Sequence, residues 1–301
     1  MIKKYIAGGI LLAVAAGGLI TGNAQEQIVI EPLFEYPVAP DTISTLEKRS
    51  EWVVANFWKP MDFKATGTVD QNALNSAFAV YSVPMQWAAP EVTEKALNEL
   101  IAASQRNPAL ALQMTKAAEE CFYGPRAIYW SDKAYLMFID ALLKNKKIPS
   151  ERKVRYERLA KILRNTQTGA TPPKFNYMTP EGKQQTFRPN GIYTVIEFGD
   201  PGCDECRHAR LKMETDVKFS QLVDRGAINV MFIIPDPEEG WEKELSGYSD
   251  KWHIGGSEEV SDLYDLRESP TVYIIDQNGK VAAKNIPVET AIEMTRAQFN
   301  Q

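Results

Sequence analysis

The sequence predicts an α/β domain, a central mixed sheet flanked by helices, behind a separate all-α N-terminal domain. Two observations carry this. After about residue 174, β-branched and aromatic runs of strand length, bounded by turn residues, alternate with helical patterning. Between residues 44 and 165, apolar residues recur at helical offsets, and the polar loop TQTGATPP, residues 166–173, separates the halves.

The 301 residues are 44% hydrophobic and 24% charged, ordinary for a globular protein and long enough for two domains. A net charge of −5 and the lack of a basic stripe with interleaved aromatics argue against nucleic acid as a partner. Residues 1–24 differ from the rest. Lys3-Lys4 precede an apolar run from Ile6 to Ile20, and Thr21-Gly22-Asn23-Ala24 ends it in small residues. This reads as a cleaved export signal, since the run falls short of the ~20 residues that span a bilayer. No cysteine follows it to carry a lipid anchor. The expected location is the periplasm or cell envelope, without stable membrane insertion after cleavage. Three cysteines in an exported protein make one pair and one left over.

Residues 25–43 carry Pro32, Pro37 and Pro40 and read as an extended lead-in. Six helices are expected next: 45–58, ending before Pro60; 70–81, stopped by Pro84; 90–104; 108–122; 131–143; and 150–164. Cys121, among Ala117, Ala118 and Phe122, reads as a buried inert thiol. The second half, residues 174–301, opens with a hairpin, 174–178 and 183–187 around Pro180-Glu181-Gly182. A strand begins at Ile192, Gly199-Asp200-Pro201-Gly202 breaks it, and a helix follows with Ala209, Leu211 and Met213. Further strands are expected at 228–234, 271–275 and 280–283, the last two joined through Asn278-Gly279. Short helical segments at 238–245 and 260–266, a loop or short strand at 248–256, and a helix at 288–299 complete the order.

The chemistry concentrates at Cys203 and Cys206, a CxxC at the strand-to-helix junction. In a first helical turn their Cα atoms lie roughly 5–6 Å apart, within disulfide range. The upstream sulfur meets free backbone N–H groups and the positive end of the helix dipole, which favour a thiolate. Other readings are a structural disulfide, of modest effect in so short a loop, and a metal site with His208, which lacks a fourth ligand. Haem attachment needs a histidine where Arg207 stands, and a peroxidatic setting needs Pro and Thr where Ile196 and Asp200 stand. Glu197 alternates into an apolar strand, so it is either a buried carboxylate exchanging protons with Cys206 or an ordinary solvent-facing residue.

The second half resembles TlpA/ResA-like thiol–disulfide oxidoreductases, which have a thioredoxin fold. Cys203-Asp204-Glu205-Cys206 after a strand, Glu197 six residues before the first cysteine, and Ser269-Pro270-Thr271 before a later strand carry the resemblance. It implies a buried acid at Glu197, a cis Pro270 facing the cysteine pair, and Ser269 as a docking edge for substrate. Gly202 stands where thioredoxin has Trp, and Asp204-Glu205 where it has Gly-Pro. Trp52 to Phe63, Tyr129 to Leu143 and Arg155-Tyr156 resemble an uncharacterised helical domain of unknown function that precedes thioredoxin-like domains in certain secreted bacterial proteins.

The expected function is an exported protein-disulfide reductant or isomerase. Cys203 would attack and Cys206 resolve, and the Cys203–Cys206 disulfide would replace any cofactor. Its partners would be disulfide or dithiol proteins and an envelope thiol reductant as electron donor. Trp241 and Trp252 are candidates for the rim of the substrate groove. The acidic setting of Asp200, Asp204 and Glu205 favours a potential nearer thioredoxin's roughly −270 mV than a strong oxidant's roughly −120 mV. The rival is a non-catalytic envelope binding or scaffold protein that uses the same fold.

Overall fold

A computed structural model describes residues 31–64, 67–125, 127 and 129–299. The export reading of residues 1–24 lies outside them. Six helices come first: α1 (Leu46–Asn56), α2 (Gln71–Met85), α3 (Pro90–Ser104), α4 (Pro108–Phe122), α5 (Asp132–Lys144) and α6 (Val154–Thr166). Thr45, Asp70, Asn107 and Ser131 cap α1, α2, α4 and α5 by accepting free N–H groups, and proline opens α3 and α4.

Two expectations need correcting here. Pro84 does not stop α2, which runs to Met85; in the last turn the missing N–H costs one bond, and Gln86 and Trp87 close the helix onto the carbonyls of Val83 and Pro84. The sixth helix starts later, because Ser150–Arg152 form a separate 3-10 turn. The core of this region is aromatic, with Phe57, Trp58, Phe78, Tyr81, Phe122 and Phe138 in mutual contact. Cys121 is buried there, its Sγ 3.3 Å from the carbonyl of Phe78, and burial pushes its thiol up to about 12.

The second half runs β1 (Phe175–Met178), β2 (Gln184–Phe187), β3 (Tyr193–Phe198), α7 (Asp204–Thr215), α8 (Val217–Asp224), β4 (Ile228–Ile234), β5 (His253–Gly256), α9 (Val260–Leu263), β6 (Thr271–Ile275), β7 (Val281–Lys284) and α10 (Val288–Phe299). Sequence reading missed α8. Asp216 ends α7 and, through Oδ1 accepting from the Phe219 N–H at 2.9 Å, caps the next helix at once. Leu211 is exposed rather than part of the core, and the expected helix at 238–245 is a 3-10 turn, Trp241–Glu244.

The strand order is β2-β1-β5-β4-β3-β6-β7, with β3 parallel to β4 and antiparallel to β6. Strand β3 is buried along its whole length. Its Tyr193 and Val195 join a core with Ala209 and Met213 of α7 and Ile292 of α10, whereas Ile196 and Phe198 face Tyr264 and Phe175 on the other side. Strand alternation therefore puts Glu197 on the α7 side, opposite Phe232 and Val272 in register.

Each half has its own core, and an interface ties them into one compact unit from Pro32 onward. At its centre Arg267 and Lys284 meet Asp132, from the start of α5, at 2.6 Å each. Both also pair with Asp265, which lies on the loop before β6, Lys284 at 2.7 Å. Burial opposes the Asp265 charge, but the hydrogen bonds and charges of Arg267 and Lys284 outweigh it and hold the carboxyl below the usual carboxylate range.

Candidate active site

Cys203 is the N-cap of α7: its φ and ψ are −79° and 129°, and its Sγ accepts the Cys206 N–H at 3.2 Å. The half-buried Cys203 sulfur also lies 3.7 Å from Glu205 Oε2, while Cys206, in the first turn, is fully buried. Two features upstream shape this junction. Asp200 accepts the Gly202 N–H at 2.7 Å, and its carbonyl accepts the Cys203 N–H. Gly199 lets the helix settle on the strand end, since a Cβ there would stand 2.9 Å from Cys206 Sγ and 3.3 Å from Phe232. Asp204, in contrast, points away and pairs with Arg207.

Ser269 reaches the pair from across the sheet, its Oγ 3.4 Å from Cys206 Sγ, and the Ser269–Pro270 bond is cis. Glu197 has no exposed surface, and neither carboxylate oxygen has a hydrogen-bond partner. It shares a strand face with Gly199, against which the Cys206 sulfur packs. The solvent-facing reading of Glu197 is thereby excluded. Burial pushes its carboxyl up to about 8, with Arg210 working in the opposite direction. Burial likewise pushes the Cys206 thiol up to about 12, and the Cys203 sulfur adds to it. Arg210 lies over the Tyr248 ring at 4.6 Å, and its Nε and Nη1 are buried without partners.

Residues 18–166 match the family model of a domain of unknown function, DUF5106. A thioredoxin-like protein from Bacteroides caccae is 21% identical, and the alignment covers 91% of this chain and 100% of that one with a TM-score of 0.75. The C-terminal half has a thioredoxin-like fold. The thioredoxin domain of a thiol-disulfide oxidoreductase from Bacteroides vulgatus aligns at 20% identity over 44% of this chain and 99% of that one, TM-score 0.39. A thiol:disulfide interchange protein from a Bacteroides species aligns at 18% over 46% and 93%, TM-score 0.39. No curated protein matches.

In the thioredoxin-like domain the expected tryptophans are not where the cysteines are. Trp252 is buried in the core beside Tyr248, and Trp241 packs against that core next to Gly256. The physical reason is that the segment around them packs on the face of β4, with Tyr248 against Phe232, whereas the groove opens between α7 and the loop before β6. That groove, of about 510 Å³, is lined by Ser269 and Pro270 with Glu205, His208 and Glu268, and by Trp130 of the helical region. His208 is thus a groove residue, and among the described residues no group of three or more His, Cys, Asp or Glu is placed to hold a metal ion. Trp130 lies 139 positions from Ser269 in sequence, and no local pattern connects the two.

Proposed function

We propose that this protein is a thiol–disulfide oxidoreductase acting on protein disulfides as a reductant or isomerase in the cell envelope. The observation that carries the reading is the setting of Cys206: its sulfur is buried at a helix start, 3.4 Å from Ser269 Oγ at a cis-proline, on the strand face that holds an unpartnered Glu197. A structural disulfide requires none of these three. In the first step the Cys203 thiolate attacks one sulfur of the substrate disulfide; the other leaves as a thiolate and takes a proton from solvent. In the second, Cys206 gives its proton to the Glu197 carboxylate and attacks Cys203 Sγ. The Cys203–Cys206 bond forms, the mixed disulfide breaks, and the second substrate thiolate departs and is protonated. Two electrons pass to the substrate, and an envelope dithiol returns the pair to the reduced state. The buried Cys206 thiol stays protonated until Glu197 takes its proton, which holds back resolution until the mixed disulfide has formed. Acidic groups around Cys203 do not stabilise a reduced pair, which suits a reductant better than an oxidant.

Turnover of insulin disulfides with dithiothreitol as electron source tests the reading. Cys203→Ser is expected to abolish turnover, and Cys206→Ser to accumulate a mixed disulfide on Cys203 that denaturing non-reducing gels retain. Turnover that survives Cys203→Ser would leave the scaffold reading standing. Export is tested separately, by whether the mature envelope fraction begins after Ala24.

A further inference from the structure

The groove beside Cys203 is closed on one side by the helical region rather than by the thioredoxin-like domain. Trp130, just before α5, lines it together with Pro270, Val272, Ile286, Pro287 and Val288. The indole is held from two directions. Its Nε1–H donates to the Gly124 carbonyl at 2.9 Å, and the Arg267 guanidinium lies over its ring at 5.0 Å and over Tyr123 at 4.3 Å. Arg267 in turn is 3% exposed and is bound to Asp132 and Asp265. It stands three positions before Pro270 on the same loop, so one buried ion network anchors both the indole and the cis-proline loop.

We propose that Trp130 is a specificity-determining residue that receives the aromatic or aliphatic side chain flanking the attacked cysteine in an extended polypeptide disulfide. The inference rests on the thiol–disulfide reading and names the substrate class for that same site. The occupant follows from continuity. One groove is lined by Glu205, whose carboxylate is 3.7 Å from the attacking sulfur, by Ser269 at the sheet end, and by the indole. A substrate strand docked along Ser269 with its sulfur at Cys203 therefore runs toward Trp130. Pro270, Val272, Ile286, Pro287 and Val288 give the groove apolar wall, and about 510 Å³ leaves room for large side chains that a small disulfide does not bring.

The test uses the full chain, dithiothreitol, and three substrates: hydroxyethyl disulfide and two glutathione-capped peptides differing only in Phe or Ala beside the cysteine. The wild type is expected to favour the Phe peptide in kcat/KM by roughly tenfold to a hundredfold. Trp130→Ala should bring that ratio close to unity, and Trp130→Phe should retain most of it. Trp130→Gln serves where the Ala variant does not fold, with hydroxyethyl disulfide turnover as the control for an intact site. Equal rates for both peptides in the wild type overturn the inference. So does a preference that survives loss of the indole, or an equal loss for all three disulfides. If the wild type does not turn over hydroxyethyl disulfide at all, the underlying redox reading falls and takes this one with it; turnover without dependence on Trp130 defeats this inference alone.

Discussion

The two halves of the molecule bury comparable apolar cores but treat polar groups differently. Among the described residues the helical region buries no carboxylate: beside the unpartnered hydroxyls of Tyr81 and Tyr135, its buried polar side chains are Ser50, Ser82, Ser104, Thr115 and Thr166. Four of them bond back to their own helix, Ser82 to Ala79, Ser104 to Ile101, Thr115 to Ala111 and Thr166 to Ile162. Such groups satisfy themselves and are idle chemically. The thioredoxin-like half buries two carboxylates instead, and these two also differ. Asp265 is fully partnered by Arg267, Lys284 and Asn285, whereas Glu197 has no partner at all. A buried carboxylate with partners holds parts together; one without them is available to take a proton.

The largest expected effect that tests this contrast is at Glu197. Its folded carboxyl titrates near 8 against an ordinary 4.5, so stability is fully present below about pH 4.5 and is lost as pH rises toward 8. The full span is on the order of 5 kcal/mol. Glu197→Gln should flatten the dependence in chemical denaturation across that window and slow the resolving step by roughly a hundredfold. An unchanged pH slope would falsify the assignment of a raised carboxyl. Next comes Asp132→Ala, which leaves Arg267 and Lys284 with one carboxylate between them. Removing one partner of so buried a network is expected to cost about 3–5 kcal/mol. A loss below about 1 kcal/mol, the range of a surface pair, would mean the interface does not depend on it.

A smaller change, about 1–3 kcal/mol, is expected for Gly199→Ala, because the new Cβ has to displace Cys206 Sγ or the Phe232 ring. Alkylation of Cys206 should then be faster than in the wild type; unaltered protection would show that the helix start does not rest on this strand end. The smallest effect belongs to the helical half. Ser82→Ala removes a hydroxyl bonded at 2.8 Å to its own helix, and the thermal midpoint should move by no more than about 1 kcal/mol implies. A cost above that would break the contrast, since it would make a buried hydroxyl of this region more than self-satisfied.

Much of the site was legible because its signals are local. The CxxC spacing, the glycine-rich break before it, the strand upstream and the helix downstream lie within a few turns of chain, where backbone geometry alone relates one residue to the next. Glu197 was half legible: alternation placed it on a strand face, but two-sided burial of β3 depends on helices that come later in the chain. Pro84 misled because a proline near a helix end costs little once the last turn closes through shorter-range bonds. Helix α8 was hidden behind an Asp that serves as both a stop and a start. Trp241 and Trp252 misled for a different reason: they lie on the α7 side of the sheet, as expected for groove residues, but pack into the core there, and composition does not say which neighbours an aromatic residue meets.

From the sequence came the order of elements and the pair of sulfurs at a helix start, both of which follow from propensity, capping and short-range spacing; that Glu197 and Pro270 flank the pair came from the resemblance to TlpA/ResA-like proteins. Which residues surround the pair was set by the packing of the two halves. Asp132, Asp265, Arg267 and Lys284 are scattered charges in the chain and one network in the fold, and Trp130 reaches the groove from the other half. Such meetings depend on how two cores dock. Docking is governed by desolvated charge pairing and shape across the interface, which no window of sequence records.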